Sequence, residues 1–389
     1  MTVNSKSPGV VTDHCSLTTD HCKETRKPER LNALTGLRCL AAINIVFFHF
    51  SNPQSFGWLA PVVNAGYIAL GLFFLLSGFV LAYNYAGQAR AGSLDKLNKA
   101  RFWKARFTRL YPIYLLSLLL SWRMVSAEYG AHTHGMFWTG MALTPFLLQG
   151  WVPSLATFLN TPAWAMPAEA FMYGLFPWLA RVKRPARAGK IMVQLAGVWA
   201  VGMLPGLLYL ILQPDGIQHP DRWSWGPWLQ ALKFTPLPHL ASFFFGILLA
   251  GLDELVPRAG RLRLTLGLGG FAVIFGILSL GPLAPYVLLH DGLLMPLFGC
   301  IVLGLAGENW LASAFSVRPL VFVGEASYCL YLLHFNLWNW IHDTHVWDHL
   351  GLARFDPWIS YAVVIAVALV ALHLVEKPAQ RLLRKWMGA

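Results

Sequence analysis

Apolar residues gather along this chain in runs of 14 to 23 residues, separated by short stretches rich in Lys, Arg, Pro and Gly. A helix needs about 20 mainly apolar residues to cross the hydrocarbon of a bilayer, so runs of this order predict membrane spans. Ten are expected, at 33–51, 64–86, 107–125, 167–180, 191–213, 235–252, 264–281, 286–305, 319–341 and 358–375. The shortest is 167–180. Residues 136–150 are apolar but too short for a crossing, and counting them as one would move the basic loop at 181–190 to the opposite side. The stretch 126–166 is therefore read as an outer re-entrant or interfacial segment.

Composition agrees with this pattern. Of 389 residues, 56% are hydrophobic and 12% charged, against about 25% charged in an ordinary soluble domain. Mean hydropathy is +0.51. The expected fold is all-α: a polytopic integral membrane protein of about ten transmembrane helices plus the outer segment. Three of five cysteines, Cys39, Cys300 and Cys329, lie inside apolar runs, where a thiol behaves as a small hydrophobe, and no disulfide framework is implied. The organisation reads as a polar, disordered cytoplasmic tail over 1–30, a membrane domain over 31–376 and a basic cytoplasmic tail over 377–389. The first tail repeats Thr-Asp-His-Cys at 12–15 and 19–22, a set that suits zinc in donor type but lacks the usual Cys-x-x-Cys spacing. No metal site is assigned.

The formal charge of +12 invites a nucleic-acid partner until its distribution is considered. The ten-span order places 26 Lys and Arg on one side and four, Arg123, Arg222, Lys233 and Arg354, on the other. Basic loops stay in the cytoplasm, so a multi-pass cell-membrane protein with both termini cytoplasmic is expected, with no nucleic-acid partner. Trp223, Trp225 and Trp228 in the outer loop 214–233 suit an interfacial belt, with a sugar-stacking surface as the alternative.

Ionisable residues within spans are costly and are functional candidates by default. Arg38 and His49 share the first span, eleven positions and about 16 Å apart, with Arg38 toward the cytosol. Arg106 and Arg109, three residues apart, fall on one helical face; they act either as positive-inside anchors or as a phosphate clamp. Glu169, with Trp164 and Tyr173 nearby, has no cation beside it in sequence. Its expected partner is His49 at similar depth, the alternative being outer water. His334 also falls in the outer half of its span and reads as a structural hydrogen-bond group; Ser327 reads as a helix hydroxyl bonded to backbone rather than as a covalent nucleophile. No Walker loop, dinucleotide fingerprint, HExxH or GxSxG motif is present, which argues against a nucleotide-driven pump.

Several of these segments occur together and in order in one known family. LTGLRCLAAINIVFFHF carries a basic residue, ten positions and a histidine; GYIALGLFFLLSGFVLAY, RFTRLYP, SYCLYLLHFNLW and VEKPAQRLLRK follow. TPAWAMPAEAFMYGLFP agrees in part, through Trp164, Glu169, Tyr173, Phe176 and Pro177, with Ala165 and Ala168 in place of the usual Ser and Val. Over residues 31–385 the chain resembles acyltransferase family 3, membrane enzymes that move acetyl or other short acyl groups onto hydroxyls. The resemblance implies acetyl-coenzyme A or another acyl-coenzyme A as co-substrate, with no permanently bound cofactor. With that donor, Arg38, Arg106 and Arg109 are expected to hold its phosphates near the cytosol, His49 to act as general base deeper in the membrane, and Glu169 to orient His49. The expected acceptor is a hydroxyl of a carbohydrate or glycan, with a lipophilic small molecule such as a macrolide antibiotic as the alternative. A transporter or flippase is the alternative of a different class.

Overall fold

In the computed structural model, which describes residues 31–90, 98–182, 185–280, 284–290 and 292–388, the chain is a helical bundle. The tail over 1–30, with its Thr-Asp-His-Cys repeat, lies outside the described residues. Each of the ten apolar runs is built as helix. The bundle comprises α1 (Asn32–Phe50), α2 (Ala69–Arg90), α3 (Lys99–Leu120), α4 (Val125–Ala131), α5 (His134–Leu143), α6 (Ala165–Leu179), α7 (Ala188–Leu212), α8 (Pro227–Phe234) and α9 (Pro236–Leu255). It continues with α10 (Arg261–Ser279), α11 (Tyr286–His290), α12 (Met295–Leu305), α13 (Arg318–Glu325), α14 (Ser327–Asp343), α15 (Trp358–Ala371) and α16 (Lys377–Met387).

Among the described residues, eight segments are long and apolar enough to cross a membrane, and the pair α13 and α14, bent by 65°, makes a ninth. The tenth run is α6, whose 15 residues reach about 22 Å, short of the roughly 30 Å hydrocarbon thickness. The segment after α3, expected as an outer one, contains only short helices, α4 and α5, followed by 3₁₀ turns up to Trp164. The protein is a multi-pass membrane protein: apolar side chains such as Val193 (73% exposed) and Ile211 (74%) on α7 face outward, a surface suited to lipid and not to water.

Small residues set the helix spacing. A Cβ on Gly78 of α2 would lie 2.0 Å from the Phe243 carbonyl oxygen of α9, and one on Gly246 of α9 would lie 2.0 Å from the Leu75 carbonyl oxygen of α2. Only glycine at both positions lets the two backbones touch. At the turn between α9 and α10, fully buried Arg263 meets the Asp253 carboxylate at 2.6 Å and donates to the carbonyls of Pro257, Leu303, Asp253 and Val256. A side chain counted in the sequence among the basic loop residues is therefore an internal clamp.

Within the basic segment 377–389, Lys377–Met387 is helical and follows directly on the last span. A π-helical turn over Leu372–Glu376 links α15 to α16, which packs on α3. Lys104 of α3 donates to the Met387 carbonyl at 2.7 Å. Arg38 near the start of the described chain and Arg384 near its end consequently line one cavity, so both ends of the membrane domain lie at the same end of the bundle.

Candidate active site

Two cavities follow one another along the bundle. The first, about 450 Å³, lies at the end of the bundle that carries Arg38 and α16, and is lined by Arg38, Arg106, Arg109 and Arg384 together with Glu169 and Ser327. The second, about 290 Å³, contains His49, Trp164, Arg222 and Lys233 within an aromatic wall. Leu70 of α2 and Tyr331 of α14 line both and form the partition between them. The Tyr331 hydroxyl donates to the Pro162 carbonyl at 2.6 Å, which fixes the ring in place.

In the arginine cavity, Asn98 caps α3 by accepting from the Arg101 N–H, and the helix then carries Arg106 and Arg109 inward on one face. Arg109 is held by Glu376, with Nη1 3.0 Å from Oε1 of this fully buried carboxylate. Glu376 also accepts from Gln380 Nε2 at 3.0 Å and from the Cys329 thiol at 3.0 Å. The π-helical turn ending at Glu376 is the backbone irregularity that delivers it, as such bulges often do at functional sites. Arg106 stacks over the rings of Phe102 and Tyr173, each 5.8 Å from its guanidinium carbon, and its buried Nε has no hydrogen-bond partner. A row of arginines of which one is half-satisfied is suited to an anionic guest rich in oxygen acceptors. Ser327 lines this cavity and makes no side-chain hydrogen bond among the described residues, so it has no base beside it.

Glu169 also lies in the arginine cavity, not beside His49 as expected. Its partners are the Tyr173 hydroxyl, in a short hydrogen bond, and Ser77 Oγ at 3.5 Å. The physical reason is helical advance. Trp164 ends the 3₁₀ turns that precede α6 and lines the histidine cavity, whereas Glu169 is five residues further, about 7 Å along the chain axis toward the arginines.

His49 instead meets His334. The His334 Nε2 lies 3.1 Å from His49 Nδ1, and the rings are 5.0 Å apart. Neighbouring carbonyls fix the tautomers, because a carbonyl oxygen only accepts. His334 Nδ1 is 2.7 Å from the Tyr331 oxygen and 3.1 Å from that of Leu330, so it carries hydrogen and its Nε2 is an acceptor. His49 Nδ1 is 2.9 Å from the Ile45 oxygen, so it too carries hydrogen and shares it between Ile45 and His334. The lone pair of His49 is thereby left on Nε2, which has no protein partner among the described residues. This is the protonation pattern of an oriented general base.

The loop between α7 and α8 lines the histidine cavity. Asp215 accepts from the Leu229 N–H at 2.8 Å, the Trp228 N–H at 3.1 Å and the Tyr209 hydroxyl at 3.1 Å, pinning the loop to the start of α8. Ser224 Oγ and then the Trp223 N–H donate to Asp221, holding its carboxyl below the usual range. Trp223 and Trp225 line the cavity and Trp228 does not, so the tryptophans expected as a belt divide between the cavity wall and the outer surface.

Sequence reasoning missed Glu376 as the counter-ion of Arg109, the His49–His334 contact, and the convergence of Arg222 and Lys233 on His49. The second had a signal, since both histidines fall toward the same expected side in their spans.

Comparison with known proteins agrees with this architecture. The family profile described as an acyltransferase domain matches residues 31–375. Acyltransferase MdmB of Streptomyces mycarofaciens is 29% identical over 383 residues, covering 91% of this chain and 92% of that protein. The peptidoglycan O-acetyltransferase OatA of Listeria monocytogenes is 26% identical over 376 residues, and the O-acetyltransferase OatA of Staphylococcus aureus is 21% identical over 374. Those matches cover 90% and 91% of this chain but only 56% and 58% of the two OatA proteins. No solved structure matches.

Proposed function

The chain belongs to acyltransferase family 3, and from that premise we propose that it carries an acyl group from acyl-coenzyme A, across the partition at Leu70 and Tyr331, to a hydroxyl bound in the histidine cavity. The protein is a membrane O-acyltransferase, which sets aside the transporter alternative. The observation that carries the finer reading is the succession of the two cavities: one arginine-lined, the other holding a histidine with a free lone pair. Arg38 and His49 stand on one unbroken helix about 16 Å apart, a length suited to an extended pantetheine arm. Arg38, Arg106 and Arg109 hold the phosphates, and the thioester reaches His49.

In the transfer, His49 Nε2 takes the proton of the acceptor hydroxyl as its oxygen attacks the thioester carbonyl. The carbon–sulfur bond then breaks, the thiolate of coenzyme A leaves, and His49 returns the proton to it. The products are an ester and free coenzyme A. Throughout, His334 accepts the His49 Nδ1–H and keeps the ring aimed. General-base assistance of this kind typically contributes 10²–10⁴-fold.

The arginine end faces the cytosol, where basic loops are retained and acyl-coenzyme A is found. The acceptor then enters from the opposite side, which favours an exported or cell-surface glycan over a cytosolic small molecule. Two relatives named O-acetyltransferases, one of them of peptidoglycan, support an acetyl group and a glycan hydroxyl. Purified protein in detergent, given acetyl-coenzyme A and glycan fragments, is expected to release thiol only when an acceptor is present. Calorimetry in the same preparation should show acetyl-coenzyme A binding. An absence of binding would remove coenzyme A as donor.

A further inference from the structure

The histidine cavity holds two cations that the transfer chemistry does not use. Lys233, in the last turn of α8, is only 3% exposed. Its ammonium has two long contacts, to the carbonyls of Ser224 at 3.3 Å and Arg222 at 3.4 Å. The faces of Trp225, Phe234 and Tyr286 surround it at 5.3, 5.3 and 5.5 Å. Arg222 lies over Phe48 and Trp223, 4.6 and 4.3 Å from their ring centres, with one long contact to Asn64 at 3.5 Å. Among the described residues neither cation has a carboxylate within 4.0 Å. Asp221, adjacent to Arg222 in sequence, is occupied by Ser224 and Trp223.

An ammonium taken out of water without an anion costs several kcal/mol, which carbonyls at 3.3 Å and ring faces offset only in part. The contrast within the molecule is informative: Arg109 has Glu376 and Arg263 has Asp253, both buried carboxylates in direct contact. In the His49 cavity, by contrast, Arg222 and Lys233 are arranged around a space with no carboxylate in contact, as Arg106 is in the arginine cavity assigned to an anionic donor. The Asp215 contacts pin the loop that carries Arg222 to the start of α8, whose last turn carries Lys233, so both positions are built into the fold. The aromatic wall meanwhile supplies flat faces for a ring.

We propose that the acceptor is an anionic sugar, bearing a carboxylate or phosphate that Arg222 and Lys233 bind while the aromatic wall stacks its ring and His49 meets its hydroxyl. This rests on the reading of the histidine cavity as the acceptor chamber.

The test is calorimetry on the purified full chain with phenyl β-glucuronide, phenyl β-glucoside and a phosphorylated phenyl β-glucoside, alongside acetyl-coenzyme A. The parent is expected to bind an anionic glycoside at least about tenfold more tightly than the neutral one, the scale of one charge-assisted hydrogen bond. The tighter of the two anionic probes identifies the group. The preference should vanish in Lys233→Gln and shrink in Arg222→Gln, yet survive in Arg106→Ala, which alters only the arginine cavity. Acetyl-coenzyme A binding checks folding: if Lys233→Gln loses it, Arg222→Gln decides. Equal affinities, no binding of either anionic probe, or a preference that survives both substitutions would overturn the proposal. Should acetyl-coenzyme A bind the parent while the anionic preference is absent, this inference fails and the donor reading stands. An anionic preference in a parent that does not bind acetyl-coenzyme A is the reverse case: the donor reading fails and this inference stands.

Discussion

His334 Nε2 accepts from His49 Nδ1 at 3.1 Å, so the side chain that orients the candidate base is a second imidazole and not a carboxylate. A neutral histidine has one lone pair, and His334 offers it because its own Nδ1–H is spent on Tyr331. A neutral orienter fixes ring direction but offsets less imidazolium charge than an aspartate would.

His334→Ala should therefore reduce turnover about ten- to a hundredfold, the cost of a hydrogen bond to a group that becomes charged, while donor affinity stays within about twofold of the parent. Glutamine at this position offers an amide oxygen as acceptor and should recover part of the loss. Steady-state kinetics with calorimetry separates the two effects. Full activity in His334→Ala would show that the contact has no part in orientation.

The paired approach of Gly78 and Gly246 predicts a sharp local intolerance. Gly78→Ala places a methyl 2.0 Å from a backbone oxygen and should cost about 1–3 kcal/mol of stability. Gly174→Ala on α6 meets nothing within 4 Å and should be neutral or stabilising. Thermal unfolding in detergent compares them, and equal midpoints would mean the α2–α9 contact is looser than described.

Orientation is tested by single cysteines in a cysteine-free background. An impermeant thiol reagent applied to intact cells should modify a cysteine at 219 and spare one at 385. The opposite labelling would place the arginine cavity outside and remove cytosolic acyl-coenzyme A as its guest.

Much of this architecture was legible in the sequence because it is local. Apolar run length marked the helices, and the eleven-residue spacing of Arg38 and His49 gave their separation along α1 directly. Arg106 and Arg109 were paired by helical period alone, and they do line one cavity. What stayed hidden depends on packing between distant helices. His49 and His334 are 285 positions apart, and Arg109 and Glu376 come together only through the π-helical turn. The pairing of Glu169 with His49 failed because the start of α6 is set by the preceding 3₁₀ turns, which apolar run length does not register: Trp164 reaches the histidine cavity and Glu169, about 7 Å further along, does not.

The central claim is a division of labour between the two cavities, with donor phosphates at one end and proton transfer at the other. It is tested most directly by measuring acetyl-coenzyme A affinity and acyl turnover side by side in Arg106→Ala, Arg109→Ala and His49→Ala. Each arginine substitution should weaken donor binding about ten- to a hundredfold. His49→Ala should keep the parent's donor affinity and lose about 10²–10⁴ in turnover. Normal turnover in His49→Ala, or unchanged donor affinity in both arginine variants, would contradict that division.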